Sequence, residues 1–180
     1  KDLHSHPELG FEEERTSKLV QEKLKEYGVD EIHTEIGKTG VVGIISGNDG
    51  GGNRRIGLRA DMDALPIQED TGLSYASKFD GKMHACGHDA HTTMLLGAAK
   101  YLSKTRNFSG TAILIFQPAE EGQGGAIKML DDGLFKKFPC DEIYGIHNDP
   151  NGKIGEIGIC KGKAMAGAAI FDINIDGIGS

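Results

Sequence analysis

The sequence predicts an α/β fold in which helices flank a central mixed, largely parallel sheet. Short apolar segments typical of strands alternate along the chain with amphipathic segments typical of helices, which is the order expected of this class. The segment TAILIFQ at residues 111–117 is almost entirely apolar, as in a strand that is buried on both faces. In open sheets of this kind ligands bind beyond the carboxyl ends of the strands, so functional side chains are expected there.

Each helix and strand follows from a local pattern of side chains. The segment 12–27 has an apolar stripe at helical spacing, begins with acidic residues and ends at Gly28, which together favour a helix. Helices are predicted at residues 12–27, 89–104 and 126–135, and strands at residues 41–46, 55–60, 111–117 and 142–147. In the second helix the side chains predicted to face the core are Met94, Leu95, Ala98, Ala99 and Leu102.

Composition and charge narrow the classes of function. The net charge of −7 argues against a nucleic-acid partner, because phosphate binding needs clustered Lys and Arg. No apolar run approaches the roughly 20 residues of a membrane span, so no membrane partner is expected. Three cysteines are a sparse and odd set, which argues against a disulfide framework and favours a reducing compartment such as the cytoplasm.

Side chains that bind metals are concentrated in one segment and at the ends of predicted strands. The segment MHACGHDAHTT at 83–93 contains His84, Cys86, His88, Asp89 and His91. The predicted strands are followed by Asp61 and Asp63, by Glu120 and Glu121, and by His147. Because strand ends meet at one edge of a sheet, we expect these groups to converge. Asp89 and His91 are candidates for side chains that hold a ligand imidazole in place, as such sites usually need.

A catalytic metal site explains this set better than a structural one. A structural zinc site would draw four thiolates or imidazoles from a compact local motif. Neither Cys140 nor Cys160 has a partner at that spacing, and the candidates here mix cysteine, histidine and carboxylate from distant segments. In the paired glutamates of QPAEEG, neighbouring side chains of an extended segment point in opposite directions. One of them can therefore bind a metal while the other faces the open side and transfers a proton.

The chain resembles the two-metal amidohydrolases of the aminoacylase and carboxypeptidase superfamily, in the branch of hippurate hydrolase and the indole-acetyl-amino-acid hydrolases. The matching motifs occur in order along nearly the whole chain. They are LHSHPELGFEE at 3–13, LRADMDALPIQE at 58–69, MHACGHDAHTTMLLGAAKYL at 83–102, IFQPAEEGQGGA at 115–126 and GIHNDP at 145–150. The resemblance implies a zinc-exopeptidase-like catalytic domain that hydrolyses the amide bond of small N-acyl amino acids.

The resemblance also implies roles for individual residues. The implied metal ligands are Cys86, His88, Glu121 and His147, which would hold two divalent ions (Mn, Zn, Co or Ni). Glu120 is implied as the general base and acid. Other branches carry His-x-Asp where this chain has Asp61-Met62-Asp63, so Asp61 and Asp63 are expected to orient ligands, Asp63 more than Asp61.

Two departures from the family pattern set the expected domain organisation. The family completes its metal site with a later histidine that has no counterpart here, and it inserts an α+β lid domain about where residues 164–180 begin. We therefore expect an incomplete catalytic domain at residues 1–163 and the first strand of a lid at residues 164–180, with a half-buried strand at 169–176. Through the lid the whole protein is expected to form a homo-oligomer, and residues 1–180 alone are not expected to be a competent enzyme.

Two other classes of function compete with the amidohydrolase. A zinc base-deaminase needs His-x-Glu and Pro-Cys-x-x-Cys. Here Pro139 and Cys140 are followed by no second cysteine at that spacing, so this class fails on the sequence. A non-catalytic binding module that keeps the fold stays open, although the paired Glu120 and Glu121 favour a retained reaction.

Overall fold

A computed structural model describes residues 1–48, 52–165, 167, 169 and 171–178. Its helices are α1 (Glu14–Tyr27), α2 (His88–Thr105), α3 (Gly125–Asp131) and α4 (Leu134–Lys137), and its strands are β1 (Glu31–His33), β2 (Val41–Ser46), β3 (Arg55–Asp61), β4 (Thr111–Gln117) and β5 (Glu142–Gly145). The chain divides into two compact units, residues 1–148 and residues 149–180. All of these elements belong to the first unit.

The five strands form one mixed sheet in the order β1-β2-β4-β3-β5. Strand β2 runs antiparallel to both β1 and β4, whereas β3 runs parallel to both β4 and β5. The predicted mixed sheet flanked by helices is confirmed, but it is parallel in only half of its pairings. Strand β1 was not predicted, because its sequence EIH is short and charged and is ordered by pairing with β2.

The core lies on both faces of the central strand β4, as its apolar sequence predicts. Leu114 and Phe116 pack on one face with side chains of α1 and α2, such as Leu24 and Leu95. On the other face Ile113 and its neighbours pack with side chains of α3 and α4. Burying an apolar side chain of this size contributes roughly 1.5–3 kcal/mol. The helices are thereby fixed against the strands whose ends carry the candidate site.

The predicted helices need two corrections. The helix predicted at 126–135 is split into α3 and α4 at Gly133, whose φ of +87° ends the first segment. Met94 was predicted to face the core but is 44% exposed, because the buried face of α2 is centred on Leu95, Leu96 and Ala99. None of the described helices is long and apolar enough to cross a membrane.

The second unit has no helix or strand among its described residues. Side chains such as Phe171 and Ile175 are largely exposed. The strand predicted at 169–176 includes Ile170, which lies outside the described residues, and its described residues form no strand. The lid strand and the boundary between residues 163 and 164 stay predictions.

Candidate metal centre

The candidate site lies where three parallel strands end at the same edge of the sheet. Asp61, the last residue of β3, is in register with Gln117, the last residue of β4. Arg59 of β3 is in register with Gly145, the last residue of β5. Since Asp63, Glu120, Glu121 and His147 follow these ends within a few residues, the sheet register itself brings them to one edge.

The start of helix α2 delivers Cys86 and His88 to the same edge. Gly87 precedes the helix with a φ of +93°, a backbone conformation that side chains other than glycine rarely adopt. A Cβ atom on Gly87 would lie 2.3 Å from Oδ1 of Asn148, the residue after His147. Glycine therefore suits both the positive φ of this turn and the close approach of the Asn148 side chain.

His88 is completely buried and its imidazole has a defined orientation. Its Nδ1 lies 2.9 Å from the backbone carbonyl of Asp63 and 3.1 Å from the carboxylate Oδ1 of the same residue. A carbonyl oxygen only accepts hydrogen bonds, so Nδ1 carries the proton and donates it. In the neutral ring Nε2 then bears the lone pair that a metal needs.

Asp63 also holds the segment that carries the two glutamates. Its Oδ2 accepts a hydrogen bond of 2.9 Å from the backbone N–H of Glu121. The carboxylate oxygen Oε1 of Glu121 lies 3.7 Å from Nε2 of His88. Asp63 thus contacts both His88 and the segment of Glu121, and its role as an orienting group stays a prediction.

Cys86 and His147 meet beside this pair. The Sγ atom of Cys86 lies 3.4 Å from Nε2 of His147. Nδ1 of His147 donates to the carbonyl oxygen of Asn148 at 2.8 Å, so Nε2 again presents a lone pair. His147 is exposed, whereas His88 is buried, so the cluster spans the boundary between the core and solvent.

The residues present fit a divalent metal. Nε2 of His88 and Oε1 of Glu121 are buried and have no hydrogen-bond partner among the described residues. Unpaired polar atoms of this kind are rare in protein interiors, and a bound water or ion usually satisfies them. Among the described residues, three overlapping groups of potential ligand atoms all include His88, and the ligand atoms of each group lie within 4.8 Å of one another. They are Cys86, His88 and His147; His88, Glu120 and Glu121; and Asp61, His88 and His91.

The electrostatics of the cluster favour a bound cation. Burial, together with the nearby carboxylates of Glu121, Asp61 and Glu120, raises the pKa of the Cys86 thiol to about 12. Burial lowers the pKa of His88, but the hydrogen bond to Asp63 and the surrounding carboxylates outweigh burial and raise it. A divalent ion reverses this balance, because it stabilises the thiolate and the neutral imidazole.

Asp61 belongs to a hydrogen-bonded network and contacts His88 only at longer range. Its Oδ1 accepts from Nδ1 of His91 at 2.6 Å, and its Oδ2 accepts from Arg59 at 2.7 Å. Burial raises the pKa of Asp61, but the hydrogen bond from His91 and the charge of Arg59 outweigh it and hold the pKa at about 2. Asp61 is therefore ionised, and its Oδ2 lies 3.6 Å from Nε2 of His88.

His91 connects this network to the segment of His147. Its Nδ1 donates to Asp61, and its Nε2 lies 2.7 Å from the side-chain Oδ1 and 3.1 Å from the backbone N of Asn148. Sequence reasoning proposed His91 as a residue that holds a ligand but missed Asn148 and Arg59. Both lie inside the matched motifs. The contact of Asn148 with His91 follows only from the fold, whereas Arg59 lies two residues before Asp61 on the same face of β3 and could have been found from the strand pattern.

Other polar side chains of the region lie outside the cluster of potential metal ligands. Asp89, proposed to orient a ligand, instead accepts from Nδ1 of His4 at 3.0 Å and has no ligand imidazole among its described partners. His84 was expected to hydrogen-bond its loop, but neither ring nitrogen has a partner in the described chain. Burial lowers the pKa of His84 to about 4, so the ring is neutral at physiological pH.

Comparisons with known proteins agree with this description. The model of peptidase family M20/M25/M40 matches residues 57–176. The hippurate hydrolase of Campylobacter jejuni is 54% identical over 177 residues, which cover 98% of this chain and 45% of that protein. The IAA-amino acid hydrolase ILR1-like 2 of Arabidopsis thaliana is 46% identical over 178 residues, covering 98% of this chain and 39% of that protein.

A solved structure matches both the fold and the sequence. The YxeP protein of Bacillus subtilis, described as a dinuclear metal-binding peptidase of the M20 family, is 47% identical with a TM-score of 0.77, over 83% of this chain and 41% of that one. The fold and the cluster thus define an α/β domain with a candidate metal centre at the sheet edge. The chain belongs to peptidase family M20/M25/M40. It spans about half the length of the curated relatives it matches or less.

Proposed function

We propose that the protein to which this chain belongs hydrolyses the amide bond of small N-acyl amino acids with the help of two divalent metal ions. The observation that carries the proposal is a pair of buried atoms, Nε2 of His88 and Oε1 of Glu121, which lie 3.7 Å apart and have no hydrogen-bond partner in the described part of the chain. Cys86 and His147 meet beside them. These four side chains are the proposed ligands, and the ions are proposed to be Mn, Zn, Co or Ni.

The bound ions would supply Lewis acidity, polarising the substrate carbonyl and lowering the pKa of water from 15.7 to about 7. Glu120 is proposed as the general base and acid. Its side chain is exposed, whereas the adjacent Glu121 is partly buried against His88, so the two carboxylates face different environments. Glu120 takes a proton from the attacking water and passes it to the nitrogen of the leaving amino acid.

The proposed substrate class follows the relatives. The Campylobacter protein is named for hippurate and the Arabidopsis protein for indole-acetyl-amino acids, and both substrates are amides of an acyl group with an amino acid. An aromatic acyl group is common to the two. The homo-oligomer and the cytoplasmic location stay predictions of the sequence.

The test is hydrolysis of N-benzoylglycine by the full-length protein, before and after treatment with a chelator. We expect release of glycine that stops when the metal is removed and returns when Mn²⁺ or Co²⁺ is added. The control compound is a free carboxylic acid that lacks the amide bond of N-benzoylglycine.

The competing function is a binding module without catalysis. It predicts that the protein binds N-acyl amino acids in the presence of metal without releasing the amino acid. Binding without turnover for N-benzoyl, N-acetyl and N-indole-acetyl amino acids alike would contradict the proposed hydrolysis and favour this alternative.

A further inference from the structure

Glu13 is a completely buried carboxylate that the metal centre does not use. It is 0% exposed and immediately precedes α1, yet its side chain makes no capping hydrogen bond to that helix. The carboxylate of Glu8 accepts from the backbone N–H groups of Arg15 and Thr16 instead. No ion pair of Glu13 with a basic side chain occurs in the part of the chain that the structure describes.

The carboxylate of Glu13 faces the turn that carries the two glutamates of the site. Its Oε1 accepts the backbone N–H of Ala119 at 2.8 Å, and its Oε2 accepts the hydroxyl of Thr39 at 2.6 Å. Ala119 is the residue directly before Glu120. The contact bridges 106 positions of sequence, from the start of α1 to the loop after β4.

This turn has a strained backbone. Ala119 has a φ of +48°, a conformation that costs residues other than glycine about 1 kcal/mol or more. Its carbonyl accepts the N–H of Gly125 at 2.9 Å, so both of its backbone polar groups are engaged. Gly10 lies against Ala119 so closely that a Cβ on Gly10 would be 3.1 Å from the Ala119 Cα. Such strain persists only where the surroundings enforce the conformation.

Burying the carboxylate of Glu13 costs free energy. Its charge loses solvation, and burial raises the pKa of Glu13 even though the hydrogen bonds from Thr39 and Ala119 lower it. An apolar side chain of the same size would avoid this cost if packing were all that was needed. The acceptor oxygens of Glu13 therefore serve the two donors that they contact.

We propose that Glu13 is a positioning residue that holds the Ala119 turn in its strained form and thereby directs Glu120 and Glu121 toward His88. The roles of Glu120 and Glu121 in this proposal, as base and as metal ligand, rest on the proposed function. The effect of the Glu13 hydrogen bonds on the position of the turn does not rest on the proposed function. Because the turn precedes both glutamates, its rearrangement would displace the proposed ligand and the proposed base together.

The test compares two variants of similar size in the full-length protein, Glu13→Gln and Glu13→Met. Glutamine keeps an acceptor oxygen for Ala119, and its amide can donate to the Thr39 hydroxyl, whereas methionine has neither group. With Co²⁺ as the probe, we expect Glu13→Met to bind about 10- to 100-fold more weakly, the range typical of residues that orient metal ligands. Glu13→Gln should stay within about threefold of wild type. The visible absorption of bound Co²⁺ should change only in Glu13→Met.

Two further measurements separate positioning from a general loss of stability. Leu24→Ala leaves a cavity in the core away from the site and should reduce stability without changing the Co²⁺ spectrum. If Glu13→Met fails to fold, Thr39→Val tests the proposal instead. This variant removes one of the two hydrogen-bond donors to Glu13 and keeps the shape of the threonine side chain. We expect Thr39→Val to weaken Co²⁺ binding about two- to tenfold.

Hydrogen exchange of a peptide containing Ala119 distinguishes failure of this proposal from failure of the proposed function. We expect faster exchange at Ala119 in Glu13→Met or Thr39→Val, and wild-type exchange in Glu13→Gln. If the wild-type protein bound no Co²⁺, the proposed function would be refuted. Hydrogen exchange at Ala119 would still test the role of Glu13. Unchanged exchange and unchanged Co²⁺ binding in Glu13→Met, or in Thr39→Val if the former does not fold, would overturn the proposal.

Discussion

Replacing Glu120 by glutamine is expected to leave the metal content unchanged and to lower turnover of an N-acyl amino acid about 10²–10⁴-fold, the range typical of a general acid or base. The reason is chemical. Glutamine has nearly the shape of glutamate but cannot accept the proton of the attacking water. Glu120 is exposed on the open side of the cluster, so its loss leaves Cys86, His88 and Glu121 in place.

The measurement is steady-state turnover together with metal analysis of the same preparation. Glu22→Gln, on the exposed side of α1, is a matched control that makes the same chemical change away from the site and should behave as wild type. A Glu120→Gln variant that keeps wild-type turnover would show that another group transfers the proton. Loss of metal in this variant would make Glu120 a ligand.

Replacing Glu121 by glutamine should instead cause a loss of bound metal. Oε1 of Glu121 is buried without a hydrogen-bond partner among the described residues, and it faces Nε2 of His88 at 3.7 Å. Removing its charge takes away a ligand. The loss of affinity should therefore exceed the 10- to 100-fold typical of residues that only orient ligands.

Competition with a chromophoric chelator measures this loss, and Glu120→Gln is the matched control one residue away. The two variants should separate cleanly, one losing turnover with its metal retained and the other losing the metal. Equal metal loss in both variants would contradict the division of roles between the two glutamates.

Much of the fold could be predicted because its central elements are encoded locally. The apolar sequence of β4 and the glycine that ends α1 each determine their elements without help from distant residues. Strand β1 could not be predicted, because three residues with a charged end form a strand only by pairing with β2. The break at Gly133 was missed because a glycine inside a helical pattern is often tolerated.

The convergence of the candidate ligands could be predicted from strand ends, since parallel strands in register bring the residues that follow them to one edge. The contacts between side chains could not. His91 reaches Asn148 and Asp89 reaches His4 through the tertiary fold alone, as does Arg59 in its contact with Gln117. Glu13 stood within a recognised motif without a role, because its partner Ala119 is 106 residues away.

The most direct test of the central claim is anomalous diffraction from crystals of the full-length protein loaded with Mn²⁺ or Zn²⁺. We expect anomalous peaks at the sheet edge, with Cys86, His88, Glu121 and His147 as ligands. Two ions in the site should lie about 3.5–4 Å apart. Peaks elsewhere in the molecule, with no ion in contact with His88 and Glu121, would contradict the account.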